Sequence, residues 1–147
     1  MNNYFMYLLY VGISAGIASY FTNVGLQSTK YISSKKPLWF PPGWLFGVMW
    51  SIIYLLYSYS WYEASTFSLI NTLYFLNIIL NVAWCFFFFY LGLWDIALYT
   101  LIALDVLLIT QIILFSKHNP LATIALVPYL GWGLFATVLN YTMIVLN

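Results

Sequence analysis

Residues 64–94 read ASTFSLINTLYFLNIILNVAWCFFFFYLGLW. The stretch runs from Glu63 to Asp95 without one charged side chain between them. A helix needs about 20 mostly apolar residues to cross the hydrocarbon layer, so it is long enough for one crossing. Its apolar run is continuous, whereas the strands of a membrane barrel alternate over shorter segments. Working outward, residues 1–29 are equally free of charge, and so is the window between Lys36 and Glu63. Residues 96–116 are interrupted only by Asp105, and residues 119–147 carry no charge. The reading is an all-α integral membrane bundle of five transmembrane helices in a single domain, 1–147. Its helices are expected at about 4–26, 42–62, 67–91, 96–116 and 120–146.

Composition excludes the alternatives. Only 7 of the 147 residues are charged, where an ordinary soluble domain would hold about 37. Hydrophobic residues make up 65% and aromatics 22%, which leaves too little polar surface for a soluble globule and too much apolar mass for a disordered chain. A net charge of +1 without arginine argues against nucleic acid as a partner. Cys85 is the single cysteine, so neither an internal disulfide nor a multi-cysteine metal site can form. His118 stands alone beside Lys117, away from other metal-ligating residues. No phosphate-binding glycine loop or hydrolase elbow is present, and no metal or cofactor is expected.

Pro41-Pro42 and Asn119-Pro120 suit helix starts, because proline is tolerated in a first turn and not further in. Between the first two helices, residues 27–40 hold Lys30, Lys35, Lys36, Pro37 and several serines. That segment is too polar to cross and long enough for a lid. Gly16-Ile17-Ala18 offers a passable signal-peptidase site, but Met1-Asn2-Asn3-Tyr4 lacks a basic region, so a cleaved signal is not expected. With five crossings, loop 27–40 and the C-terminus share one side, which carries three lysines against Lys117 on the other. The positive-inside rule places that side in the cytoplasm and the N-terminus outside, in a cell membrane.

The seven tryptophans divide by depth. Trp39, Trp44, Trp61 and Trp94 fall near expected helix ends, as interfacial anchors do. At 1.5 Å per residue, Trp50 and Trp84 lie about 10 Å in from the lysine-rich side and Trp132 about 21 Å. Asn81, Asn140 and Asp105 fall about 9–15 Å from that side. A cavity beneath the lid explains this convergence. Helix packing explains it equally well, since Asn77, Asn81, Trp84 and Phe88 form one helix stripe and Gly12 and Gly16 a small-residue pair. Asp105 has no lysine or arginine within any span and is expected to face the interior as a hydrogen-bonded acid. A proton relay is the sharper alternative for it.

Lys36-Pro37-Leu38-Trp39-Phe40-Pro41-Pro42-Gly43-Trp44, followed by Gly47, Trp50 and Tyr54, resembles the signature of the translocator protein family, also called tryptophan-rich sensory proteins or peripheral benzodiazepine receptors. Leu80 to Trp84 with Phe88-Phe89, and Pro128 to Trp132 with Phe135-Ala136 and Leu139-Asn140-Tyr141, resemble its third and fifth helices. The resemblance implies a five-helix membrane protein, commonly a homodimer, that binds protoporphyrin IX, haem, and isoquinoline- and benzodiazepine-type ligands. It implies a pocket that includes Tyr31, Phe46, Trp50, Tyr54, Asn81, Trp84, Phe88, Trp132, Ala136 and Leu139. It further implies roles in porphyrin transport or sensing, or light- and oxygen-dependent porphyrin breakdown with Trp50 and Trp132 as the photochemical candidates. An ion-coupled transporter using Asp105 is a third reading. Cholesterol is not supported as a partner, because no basic residue follows Tyr141. Thr100 stands where an acid is common early in the family's fourth helix. Bulky residues around Thr72 and Leu76 replace a small-residue pattern in the third.

Overall fold

The structure, a computed structural model, describes residues 3–65 and 68–147. Among the described residues all regular structure is helical: α1 (Tyr4–Leu26), α2 (Thr29–Ser33), α3 (Gly43–Ala64), α4 (Ser68–Cys85), α5 (Trp94–Ser116) and α6 (Pro120–Leu146). A π-helical turn, Phe86–Tyr90, continues α4. The expected start of the third helix at residue 67 lies outside the described residues.

Local chemistry sets the boundaries. The Asn3 side chain accepts from Phe5 N at 3.1 Å, Ser28 Oγ from Tyr31 N at 3.2 Å, and Asn119 Oδ1 from Ala122 N at 3.0 Å, each satisfying a first-turn donor of α1, α2 or α6. Pro42 precedes α3 and Pro120 opens α6. The helix expected from residue 96 begins earlier, at Trp94, with Asp95 in its first turn. A carboxylate is favoured there by the helix dipole, so the charge that reads as a boundary lies inside the helix. Leu91 N donates to Phe86 O at 2.9 Å and Leu93 N to Phe87 O at 2.8 Å, closing the π-helical turn. Gly92 follows at φ 61°, a left-handed conformation that glycine adopts without steric cost.

The five long helices pack as a ring in the order α1, α3, α6, α5, α4, with α4 returning to α1. Gly25 makes the last closure possible, because a Cβ there would overlap the backbone of Phe89. Among the described residues four helical stretches are long and apolar enough to cross a membrane: Tyr4–Leu26, Leu69–Tyr90, Trp94–Ser116 and Pro120–Leu146. α3 matches them in length but carries four tyrosines, three serines and Glu63, so composition alone does not mark it as a span. Its buried serines take carbonyl partners: Ser58 Oγ donates to Tyr54 O and Ser60 Oγ to Ala122 O, both at 2.7 Å.

Trp61, expected as an interfacial anchor, is fully buried. Its indole donates to Asn71 Oδ1 at 2.7 Å and stacks on Tyr74 at 5.3 Å. Its depth along α3 is near an end, but it faces the ring interior. Trp39 and Trp44 are exposed, at 48% and 69%, as belt residues are.

Candidate functional site

A cavity of about 550 Å³ lies between α1 and α3 beneath α2. Two helix stripes face each other across it. α1 supplies Ala15, Ala18, Ser19, Thr22, Asn23 and Leu26, and α3 supplies Gly43, Phe46, Gly47, Trp50, Ser51 and Tyr54. Both follow the same i, i+3, i+4, i+7, i+8, i+11 spacing, one face of a helix. Cys85 and Phe89 close the side toward α4, while Tyr31, Phe40 and Pro41 form the roof. None of these lining residues is charged.

The roof is the segment expected as a lid, and it contains a helix, α2. Tyr31 is buried with its ring 5.8 Å from Phe89, and burial pushes its phenol up to about 12. Lys36 Nζ donates to Tyr31 O at 2.7 Å and to the Ser34 oxygens, and sits 4.3 Å from the centre of the Tyr31 ring. Desolvation lowers this ammonium below its ordinary value. Lys30 lies over the Trp94 ring at 5.3 Å, its stem against Gly92. These two lysines serve the lid and do not point into the cavity.

Of the ten site residues expected from sequence, Tyr31, Phe46, Trp50 and Tyr54 line the cavity. Asn81, Trp84 and Phe88 form a buried layer directly behind. Tyr54 Oη donates to Asn81 Oδ1 at 2.9 Å, Trp50 stacks on Tyr54 at 5.5 Å, and Trp84 lies 6.1 Å from Trp50. Phe88 packs on Trp84 at 5.3 Å. Trp132 stands one ring away, edge-on to Phe46 at 5.7 Å, with its indole N–H unpartnered among the described residues. Ala136 and Leu139 are buried on α6 and do not reach the cavity wall.

Polar residues sorted by depth take separate partners. Trp84 Nε1 donates to Asn140 Oδ1 at 3.1 Å, and Asn140 Nδ2 donates to Trp94 O at 2.8 Å, joining α4, α5 and α6. Asp105 is buried on the α5–α6 seam, accepts from Thr137 Oγ1 at 2.7 Å, and lies against Gly133, where a Cβ would overlap it. It is not part of the cavity wall.

The α1 wall is absent from the sequence-based site. The one trace of it in the sequence is a stripe of small and weakly polar residues from Ala15 to Asn23, which does not distinguish a cavity wall from simple packing. Cys85 gave no signal of its own, because a lone buried cysteine behaves as a small apolar residue.

A family model described as the TspO/MBR family matches residues 5–146. The chain is similar to a Tryptophan-rich protein TspO of Archaeoglobus fulgidus, 37% identical over 134 residues that cover 88% of this chain and 86% of the relative. It is 34% identical to Protein CrtK of Rhodobacter capsulatus, covering 80% and 78% of the two chains. It is 32% identical to the human Translocator protein, covering 76% and 70%.

Proposed function

This chain belongs to the TspO/MBR family, and from that premise we propose that it is a receptor-like membrane protein that holds a tetrapyrrole, such as protoporphyrin IX or haem, in the cavity beneath α2. The observation that supports the reading is the cavity itself. Its volume of about 550 Å³ falls within the usual range for small-molecule sites, about 300–1,000 Å³. Phe40, Phe46, Trp50, Tyr54 and Phe89 present rings to it. A flat macrocycle stacks on such rings for about 0.5–1.5 kcal/mol per aromatic pair beyond the area buried. Isoquinoline- and benzodiazepine-type ligands fit the same surface. Carboxylates of a bound porphyrin would lie at the roof, where Lys35 is exposed.

In this reading α3 makes the fifth crossing, its serines having taken carbonyl partners within the bundle. The lysines of residues 27–40 hold the lid and the end of α6 on the cytoplasmic side, with Asn3 outside. Two copies pair as a homodimer, and binding serves porphyrin transport or sensing.

The position of Trp50 favours a second reading, light- and oxygen-dependent degradation of protoporphyrin IX. An excited macrocycle in the cavity takes an electron from Trp50 at the wall, and Trp132 is one ring further, behind Phe46. Among the described residues no acid, base or activated nucleophile lines the cavity to support conventional catalysis. Asp105, outside the wall, offers an ion-coupled transporter no carboxylate there.

The test is a titration of the purified protein with protoporphyrin IX in the dark and then under illumination. Trp50→Phe should weaken binding modestly, by about 0.5–1.5 kcal/mol if an indole hydrogen bond is lost, and should slow loss of the Soret band far more. Trp132→Phe should act in the same direction. An absence of saturable binding would end the tetrapyrrole reading, while binding without light-driven loss would end only the second.

A further inference from the structure

Asn147, the residue that follows α6, reaches across to the lid. Lys35 N donates to Asn147 Oδ1 at 2.8 Å, and Asn147 Nδ2 donates back to Lys35 O at 2.9 Å. The other proton of the same amide is used on α6, where Nδ2 donates to Met143 O at 2.8 Å. One carboxamide therefore satisfies a helix-end carbonyl and both backbone groups of a lid residue, using all its donors. Among the described residues no other hydrogen bond joins residues 29–41 to another long helix. The remaining ties are ring and stem contacts, such as Trp39 to Phe135 at 5.9 Å and Lys30 over Trp94. Lys35 lies in the chain between two parts of the cavity roof, Tyr31 and the Phe40-Pro41 pair.

We propose that the Asn147 carboxamide is a clasp that sets how often the lid opens and so governs access to the cavity from water. The clasp acts on the roof alone and requires no particular ligand. This inference goes beyond the tetrapyrrole reading.

Cys85 provides the readout, since it is the chain's single cysteine and is buried in the cavity wall. The full-length protein, in detergent or nanodiscs, is treated with a charged, water-soluble methanethiosulfonate, and the rate of Cys85 modification is followed by mass spectrometry. Asn147→Ala should accelerate modification about tenfold, the scale of two partly exposed hydrogen bonds. Lys35→Pro removes the donor from the lid side. Ser34 already holds the φ of −68° and ψ of 143° that suit a residue before proline. This variant keeps the bond from Asn147 Nδ2 to the carbonyl of residue 35, so it should accelerate modification about threefold, and adding it to Asn147→Ala should add little. Leu146→Ala, beside the clasp but outside it, should leave the rate at the wild-type value. An unchanged rate in Asn147→Ala or in Lys35→Pro would overturn the clasp, and so would equal acceleration by Leu146→Ala. No tetrapyrrole enters the experiment, so its outcome and that of the porphyrin titration are independent.

Discussion

Replacing Asn140 by alanine tests the joint behind the cavity. Asn140 is fully buried, and its carboxamide holds Trp84 Nε1 at 3.1 Å and Trp94 O at 2.8 Å. The substitution leaves the Trp84 indole N–H without a partner in an apolar interior and takes from the Trp94 carbonyl, which keeps its bond within the first turn of α5, its second hydrogen bond. In soluble proteins each such orphan costs about 1–3 kcal/mol, whereas interhelical hydrogen bonds in membranes average about 0.6 kcal/mol. Two lost bonds and a small void should together cost about 2 kcal/mol. For a chain of this length that lowers Tm by about 4–8 °C, measurable by circular dichroism melting in detergent. Trp84→Phe removes one donor and leaves the bond from Asn140 to Trp94 intact, so it should cost less. The double variant should be less destabilised than the sum, by about 1 kcal/mol. A melting temperature for Asn140→Ala within about 1 °C of wild type, or strict additivity with Trp84→Phe, would mean that this joint does not hold α4, α5 and α6 together.

Two further outcomes follow from the same geometry. Trp61→Phe strips the donor from Asn71 and leaves space beside Tyr74, so melting should show a loss of about 1–3 kcal/mol, while any porphyrin binding or photolysis of the wild type should be unchanged because Trp61 is not in the cavity wall. Tyr31 holds its proton up to about pH 12 in the closed lid against 10.0 when exposed; the closed form therefore binds more protons between these values, and its advantage is full below pH 10 and lost as pH rises toward 12. Subtracting the tyrosinate absorbance titration of Tyr31→Phe from that of wild type should give a midpoint near 12, and a midpoint near 10 would mean that the phenol is not buried under the lid.

The helices were legible where a charge or a proline marks an end, as at Pro42 and Asn119-Pro120, whereas the Asn3 cap of α1 emerged only in the structure. Asp95 misleads because in a membrane helix a carboxylate reads as loop, yet the first turn of α5 accepts one. Depth arithmetic brought Trp50, Trp84 and Asn140 to one level, and Trp84 does bond Asn140. The same arithmetic misassigned Trp61, because distance along an axis says nothing about the face a side chain occupies. α3 read as apolar because it lacks charge up to Glu63, while its tyrosines and serines point to a helix that is polar on its inward face. The motif residues Phe46, Trp50 and Tyr54 located one wall of the cavity. The opposite wall, on α1, was hidden because alanine, serine and threonine at helical spacing look the same whether they face a helix or a void.

Gly47 gives the most direct test of the central claim that the cavity between α1 and α3 is the ligand site. It lines the cavity, and a Cβ built there meets nothing within 4 Å. In Gly47→Phe the ring therefore enters the cavity, and the helix loses nothing by replacing glycine. Titration of the purified variant with protoporphyrin IX, followed by quenching of tryptophan fluorescence, should show at least a tenfold loss of affinity, about 1.4 kcal/mol, with a melting temperature no lower than wild type. Wild-type affinity in Gly47→Phe would contradict the account and place the ligand elsewhere on the bundle.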